Sequence, residues 1–473
     1  MKPTVLIWFA LSLVSACSET VDERSAWLLS SFFQTDRVLL SRDPGPVGQK
    51  YALMRSGAYA FLRGSADLFA RDVSTPWSPL APQTRFGSAA TALVPIVGDP
   101  HVENAGSYLG ADGKLVVDWN DFDAACYGPY HVDVWRLAVS LELIGTEVGA
   151  AAGTLARDAG LSYALTIAGP SGSGIREGAT HGHFADELLK KARKRGDAGR
   201  LLNDYAPVGE DGRRRLFLAD IEDPEDAYWN DTLASVSDDA ASAIRALIME
   251  AYPVAPYEQL LGSLEPMSLA RRLGAGVGSY PLYRYYALFP GQTELSEDDI
   301  LLELKEVRDP LALAGGALLQ AKRYPSSAIR SAELQRELQL TVANDPWLST
   351  GSALGLSFRL RHRTAYQRSF DHGDIIDAVA SGDASVDDLR VLATLLGRLL
   401  ADAHGRTETA TGEDSRSVIA AAVGADAAAF AEEVATFATR YERLLRGDWG
   451  RFSELLDSRG ETLGLAPAMG SIL

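Results

Sequence analysis

The stretch from Val97 to Leu137 contains the residue types best able to do chemistry in this sequence: aspartates, asparagines and two histidines within a short span. An apolar run, Leu115-Val116-Val117, leads directly into Asp118. This pattern predicts a buried strand whose carboxyl end delivers acidic side chains into a crevice. Carboxylate and amide oxygens suit hard cations such as Mg²⁺ or Mn²⁺, which commonly bridge a protein to phosphate. The stretch therefore predicts a hard-cation site.

The spacing of these residues is similar to that in a kinase active site. Kinase catalytic loops place the catalytic Asp five residues before a metal-binding Asn, and a second metal-binding Asp follows on a strand end. Asp99 and Asn104 are five residues apart, and Asp118 lies fourteen residues beyond Asn104. Asp121 and Asp123 compete with Asp118 for the metal, and the spacing favours Asp118 only modestly.

A second informative region follows much later in the chain. Met267 to Leu273 is short and apolar, Gly274 to Ser279 is rich in glycine, and Tyr283 to Phe289 alternates as a strand does. Beyond this hairpin, the apolar run from Ile300 to Leu304 ends at Lys305. Kinases cover nucleotide phosphates with a glycine loop and pair them with a lysine on a following strand. The predicted nucleotide contacts are Gly276, Gly278, Ser279 and Lys305.

The order of the two regions is unusual for a kinase. In an ordinary kinase the glycine loop and lysine precede the catalytic loop, whereas here they follow it. The order therefore predicts a circular permutation. The amphipathic segment from Leu389 to Arg406, with Ala403-His404 near its end, supports this, because such a helix leads into the catalytic loop of phosphotransferase-like kinases.

The loop from Gly98 to Asn104 resembles the catalytic loop of aminoglycoside-phosphotransferase-like kinases. The whole arrangement resembles the bacterial domain-of-unknown-function 2252 family, which is grouped with the protein-kinase-like fold, and the resemblance extends from about residue 50 to 450. Ala105 stands where the family pattern predicts phenylalanine, and Pro281 where it predicts a third glycine; proline makes that turn stiffer. The matching residues are Phe61-Leu-Arg-Gly64, Gly98-Asp-Pro-His101, Asn104, Gly106, Asn120-Asp-Phe-Asp123, Gly128-Pro129, Asp133, Arg136-Leu-Ala138, Gly276-Val-Gly-Ser279 and Lys305-Glu306.

This resemblance implies an α+β, protein-kinase-like fold in two lobes, circularly permuted. The expected helical large lobe comprises residues 51–261, with the catalytic and metal loops, and is completed by helices in 371–473. The expected small lobe, residues 262–370, is mostly antiparallel. The implied activity is Mg²⁺-dependent transfer of phosphate from ATP or another nucleotide to a hydroxyl of a small molecule or protein.

The resemblance also implies roles for individual residues. Asp99 accepts the proton of the attacking hydroxyl or orients it, while Asn104 and Asp118 hold the metal on the phosphates, with Asp121 as a further candidate ligand. Lys305 neutralises phosphate charge.

Three neighbouring residues have supporting roles in this interpretation. His101 could orient Asp99 or contact a phosphate, and a packed, hydrogen-bonded histidine is an equal alternative. Asp133 and Arg136, three apart at the start of a helix, are predicted to brace the catalytic loop through a buried ion pair. A solvated acidic turn without function is the alternative for the whole cluster.

Two other functions fit the same residues. A kinase-like fold can transfer the whole nucleotidyl group, as enzymes that AMPylate proteins do. A non-catalytic, pseudokinase-like binding protein anchored in the envelope is the other alternative. The stiff turn at Pro281 favours it, whereas the intact set of Asp99, Asn104, Asp118 and Lys305 argues against it. Further along, Arg359, Arg361 and Arg363 alternate on one strand and could meet an acidic or phosphorylated substrate, although a solvated sheet face is favoured.

The N-terminus resembles a bacterial lipoprotein signal. Residues 1–17 combine a short positive start, an apolar segment too short to span a bilayer and small residues before Cys17. The resemblance implies lipidation of Cys17, with residues 18–50 as a tether and first helix, and a lipid-anchored protein on the periplasmic side, at the outer membrane. An ordinary secretory signal or a cytoplasmic chain with an apolar start are the alternatives. Export conflicts with a nucleotide donor, because the periplasm is not expected to hold ATP. Either the signal is misread, or the donor is unusual, or nucleotide chemistry has been lost.

The net charge excludes some partners. The chain of 473 residues has a formal net charge of −18, spread along its length. Such a charge opposes non-specific binding to nucleic acid and to anionic membrane surfaces. We therefore expect no nucleic-acid partner and contact with a membrane only through the lipid anchor.

Overall fold

A computed structural model describes residues 22–467 except for 75–83, 111, 171, 173, 197, 220–231, 253–260, 262, 264, 294, 311–323 and 341–346. Cys17 and the predicted signal lie outside these residues. The described part is a mixed α+β structure with antiparallel sheets, which confirms the predicted class. None of its helices combines the length and apolar character needed to cross a bilayer.

Most of the regular structure is helical, and the helices lie both before and after most of the strands along the chain. They are α1 (Glu23–Arg42), α2 (Pro44–Arg55), α3 (Ala58–Gly64), α4 (Ala66–Ser74), α5 (Tyr130–Glu147), α6 (Thr154–Ala168), α7 (His183–Arg195), α8 (Ala198–Tyr205), α9 (Asp238–Ala251), α10 (Ser327–Leu338), α11 (His372–Ser381), α12 (Val386–His404), α13 (Ser415–Val423) and α14 (Ala427–Arg459). Two 3₁₀ turns, Thr91–Leu93 and Val102–Asn104, lie on either side of the start of the stretch from Val97 to Leu137, which we call the acidic stretch.

The described strands are β1 (Val94–Ile96), β2 (Ala105–Leu109), β3 (Leu115–Trp119), β4 (Cys126–Gly128), β5 (Ile175–Arg176), β6 (Leu233–Ala234), β7 (Ser268–Arg272), β8 (Arg284–Phe289), β9 (Ile300–Glu306), β10 (Ser349–Ala353), β11 (Leu356–His362) and β12 (Arg368–Ser369). They form sheets of two, six and four strands, with the orders β1-β4, β10-β11-β9-β8-β7-β6 and β12-β2-β3-β5. The six-stranded sheet includes β6, which precedes the predicted lobe boundary at residue 262. In contrast, β12 lies inside the predicted small lobe but pairs with β2.

The helical core is built around α5, of whose 18 residues fifteen are buried. It is buried on nearly all sides because other helices surround it, and it carries the charged Asp133 and Arg136 into the interior. Next to it, α12 packs closely on α6 through Gly397, where a Cβ would lie 2.2 Å from the carbonyl oxygen of Ala159. A capping box between Ser385 and Asp388 fixes the start of α12. The helix ends at His404, whose ring contacts Asp133 of the acidic stretch.

The two faces of the six-stranded sheet differ in character. Because side chains alternate along a strand, Tyr285 and Leu304 face a buried apolar cluster shared with α9. The opposite face carries Glu303 and Lys305 on β9, and Arg361 on β11 lies directly across from Glu303. This charged face turns toward the loops of the acidic stretch.

Candidate functional site

A cavity of about 550 Å³ lies between the charged face of the sheet and the loops that follow β1 and β3. It brings together residues from the two regions that the sequence singled out, although they lie far apart in the chain. From the acidic stretch it is lined by Asp99, His101, Asn104, Asp121 and Asp123, and from the hairpin region by Gly276, Gly278, Ser279 and Lys305.

The Lys305 ammonium group joins the two sides of the cavity. Its Nζ lies 3.0 Å from Oδ2 of Asp121 and 2.5 Å from Oδ2 of Asp123. Arg359, which lies opposite Lys305 on the neighbouring strand, places Nη2 3.3 Å from Oδ1 of Asp123. Burial alone raises the pKa of Asp121, but the Lys305 ammonium and the Arg359 guanidinium outweigh it and hold this pKa below its usual value. Both carboxylates therefore converge on one point of the cavity.

Asp99 lies at another part of the same cavity. Its Oδ1 accepts a hydrogen bond of 2.8 Å from Nε of Arg136. Burial raises the pKa of Asp99 to about 6, although the Arg136 charge opposes that rise. A carboxylate with a pKa near neutral is suited to general-base catalysis, because it is ionised at pH 7 and still accepts a proton.

The backbone around Asp99 is held by Asp133 at the start of α5. Its carboxylate accepts hydrogen bonds from the backbone N–H groups of Val97, at 2.7 Å, and Gly98, at 3.0 Å. His404, the last residue of α12, places Nε2 3.1 Å from the same carboxylate. The predicted ion pair between Asp133 and Arg136 is therefore wrong in its details: each residue braces the loop, but through a different partner.

Gly98 is required for the path of this loop. It has a φ of +87°, and a Cβ there would lie 2.2 Å from the carbonyl oxygen of Ala124. We predict that Gly98→Ala lowers the free energy of unfolding by about 1–2 kcal/mol from backbone strain and by a further ~1–3 kcal/mol from overpacking.

Urea unfolding of Gly98→Ala beside Gly113→Ala checks this prediction. Gly113 has a φ of +75° but nothing within 4 Å of the added Cβ, so its variant carries the backbone strain alone. Equal losses in the two variants would show that close packing against Ala124 does not matter.

Asp118 does not line the cavity. Its carboxylate is fully buried and accepts hydrogen bonds from the backbone N–H groups of Trp119, at 2.8 Å, and Leu340, at 2.5 Å. Burial raises the pKa of Asp118 to about 6. The structure thus separates the metal ligand that the spacing favoured from the rest of the predicted site. The reason is geometric: β3 ends at Trp119, and the following loop carries Asp121 and Asp123 toward Lys305.

The carboxylates that do line the cavity fit a hard cation. Asp121 and Asp123 approach the same point, now contacted by Lys305, and Asn104 lines the cavity with them. Such oxygen ligands suit Mg²⁺ or Mn²⁺. Asp121, Asp123 and Asn104 are thus candidate ligands for the predicted metal.

Comparison with known proteins shows to which family the chain belongs. The model of a family described as an uncharacterized protein conserved in bacteria (DUF2252) matches residues 42–455. The chain belongs to the DUF2252 family. The match confirms the family resemblance found in the sequence, and it includes all the residues of the site described above. No curated protein and no solved structure matches the chain.

Two predicted site residues of this DUF2252 protein are held in the loop itself. Nδ2 of Asn104 donates to the backbone carbonyl of Asp99 at 2.9 Å, which closes the loop between them. His101 is buried, and burial holds its pKa well below the usual value, so its ring is neutral. Its Nδ1 has no hydrogen-bond partner within the described part of the chain. A role for His101 in orienting Asp99 stays a prediction.

Sequence reasoning missed Glu103, which lines the DUF2252 cavity, and His372 beside it, and it misjudged Arg359. Arg63 places Nη1 2.7 Å from Oε2 of Glu103, and Nδ1 of His372 lies 2.5 Å from Oε1 of the same glutamate. Arg359 is buried, so the favoured solvated sheet face for the alternating arginines is wrong. The sequence did contain a signal for a buried charged face: Glu303 and Lys305 are two residues apart, so both lie on one face of a strand that is otherwise apolar.

A larger groove, of about 760 Å³, lies along α6 and α14. None of its lining residues is acidic or a histidine, and its charged residues are the four arginines Arg157, Arg440, Arg443 and Arg451. It offers no metal ligand or general base, so the smaller cavity is the candidate active site.

Proposed function

We propose that this DUF2252 protein is a Mg²⁺-dependent phosphotransferase, which moves a phosphoryl group from a nucleotide or a related phosphoanhydride to a hydroxyl. One observation carries the proposal: the Lys305 ammonium, two carboxylates and Asp99 line a single cavity with the glycine-rich turn. Phosphoryl transfer needs mainly positioning and neutralisation of charge, which these groups supply.

The donor phosphates would lie against the glycine-rich turn and Lys305. Gly276 has a φ of +80°, in the left-handed region that favours glycine. The stiff turn at Pro281 is anchored, because Nη2 of Arg42 donates to its carbonyl oxygen at 2.8 Å and the same guanidinium contacts Glu306 at 3.0 Å. A fixed turn is compatible with phosphate binding, since pre-organised donors lose little freedom when the ligand arrives.

The residues across the cavity would act on the acceptor and the metal. Asp99 accepts the hydroxyl proton at Oδ2, while Arg136 holds Oδ1. Asp121, Asp123 and Asn104 would hold the cation, and Lys305, which now contacts the two carboxylates, would pair with a phosphate oxygen of the bound donor. The cation supplies further neutralisation of the phosphate charge.

A circularly permuted, kinase-like fold is part of this proposal. It is supported by the antiparallel sheet that carries both the glycine-rich turn and Lys305. It is also supported by α12, the last long helix but one, whose final residue His404 contacts Asp133 and so reaches the loop of Asp99.

Thermal unfolding with a panel of donors tests the proposal. We expect ATP, pyrophosphate or tripolyphosphate to stabilise the full chain in the presence of Mg²⁺, by about 2.7 kcal/mol at a concentration of 100 times Kd. Lys305→Ala should lose this stabilisation. If no donor of the panel stabilises the wild-type chain with Mg²⁺, the proposal is wrong. Mass spectrometry of the product then separates a transferred phosphate from a whole nucleotidyl group.

A further inference from the structure

One part of the charged sheet face carries far more positive than negative charge. Glu303 is fully buried, and its carboxylate lies 2.7 Å from Arg361, 3.4 Å from Arg284 and 3.6 Å from Arg272. Burial raises the pKa of Glu303, but these guanidiniums, together with that of Arg363, outweigh it and hold the pKa well below its usual value. One carboxylate thus faces four guanidiniums.

The excess charge is not a consequence of composition. The whole chain has a net charge of −18, yet these groups around Glu303 sum to about three positive charges. Nε of Arg363 is buried without a hydrogen-bond acceptor among the described residues. Burial and the nearby Arg195 and Arg200 lower the pKa of Arg368, although the charge of Asp374 opposes that fall. An anion would relieve that repulsion.

These arginines open into the candidate active site. Arg284, Arg361, Arg363 and Arg368 line the same cavity as Lys305. Glu303 precedes Lys305 by two residues on β9, so the arginine cluster is centred about 7 Å along the strand from the lysine. A ligand with one phosphate on Lys305 would thus carry its next groups toward the cluster. A guanidinium is planar and binds phosphate oxygens in pairs, which suits such a cluster to a phosphate group.

We infer that the donor held in this cavity is a polyphosphate without a nucleobase, whose distal phosphate binds Arg284, Arg361, Arg363 and Arg368. A nucleobase can stack on a guanidinium but carries no negative charge, so it would leave the charge of these arginines uncompensated, whereas a further phosphate would neutralise it. The inference deepens the proposed function and rests on it, because the bound polyphosphate is a phosphate donor only if the protein is a phosphotransferase. It also agrees with the export predicted from the sequence, because it does not require ATP outside the cytoplasm.

Calorimetric titration of the full chain with tripolyphosphate and with ATP, each with Mg²⁺, tests this inference. Tripolyphosphate should bind at least about tenfold more tightly than ATP, because each additional charge-assisted contact contributes about that factor. Adenosine should not displace tripolyphosphate. ATP binding that is equal or tighter, or displacement by adenosine, would overturn the inference.

Variants of Arg363 locate the binding. The one hydrogen bond of its guanidinium to a side chain of the described part goes from Nη1 to Oε1 of Gln367, at 3.3 Å, so its removal leaves no carboxylate unpaired. Arg363→Gln should weaken tripolyphosphate binding about tenfold, Arg363→Lys should retain most of it, and the exposed control Arg215→Gln, which contacts Asp211, should change nothing. Equal affinity in Arg363→Gln and the wild type would overturn the inference.

The two proposals can fail separately. If ATP proves to be the tighter ligand and its phosphate is transferred, the polyphosphate inference fails and the phosphotransferase proposal stands. If tripolyphosphate binds in an Arg363-dependent manner but no phosphate reaches any hydroxyl, the proposed transfer fails and the anion site stands.

Discussion

Replacing Asp99 with asparagine is expected to lower kcat about 10²–10⁴-fold while leaving Mg²⁺-dependent donor binding nearly unchanged. The asparagine keeps the shape of the side chain and its contact with Arg136 but cannot accept the hydroxyl proton. Phosphate release or donor consumption, measured beside donor affinity, separates the two effects. Asp112→Asn is the matched control, because Asp112 belongs to the same acidic stretch and, among the described residues, its side chain pairs with Arg176 and with its own loop.

The pH dependence of the wild-type protein checks the same role. The pKa of Asp99 is raised to about 6, so the carboxyl group becomes protonated as the pH falls below that value. Because a protonated carboxyl group cannot act as a base, kcat/KM should fall about tenfold per pH unit below pH 6. That limb should be absent from the Asp99→Asn profile. An unchanged kcat in the variant, or an acid limb that persists in it, would remove Asp99 from the chemistry.

The second large effect is expected at the candidate metal ligands. Asp121→Asn should weaken Mg²⁺-dependent donor binding by about 10–100-fold, since it removes one of the two carboxylates that converge in the cavity. Asp118→Asn should leave that affinity unchanged, because Asp118 does not line the cavity. It should instead lower the free energy of unfolding by about 1–3 kcal/mol, since its new NH₂ group would face one of the two backbone N–H donors.

Thermal shift with tripolyphosphate or ATP over a range of Mg²⁺ concentrations measures the affinity, and urea unfolding without ligand measures the stability. The opposite result, with affinity lost in Asp118→Asn and kept in Asp121→Asn, would restore the ligand that the sequence spacing favoured.

The sequence alone determined which regions of the chain form the cavity. Patterns of residue type and spacing selected Asp99, Asn104, Gly276 and Lys305 from distant parts of the chain, and these residues line one cavity. This succeeded because loops that begin and end at strand boundaries leave local signals, such as an apolar run that stops at polar residues. Periodicity likewise predicted the helix from Leu389 to Arg406, observed as Val386–His404. The same motifs identified the family.

Only the tertiary structure decided which acidic side chain enters the cavity. Spacing along the chain cannot tell on which side of β3 a carboxylate lies, because that depends on the strand's partners and on the layer packed against it. Asp118 contacts the backbone of Leu340, more than two hundred residues away, and so is withdrawn from the site. In the same way, alternation showed that Arg359, Arg361 and Arg363 share one face, but their burial depends on loops from the opposite side of the cavity. Such contacts between distant segments have no local signal, and they decide here which charges meet a ligand.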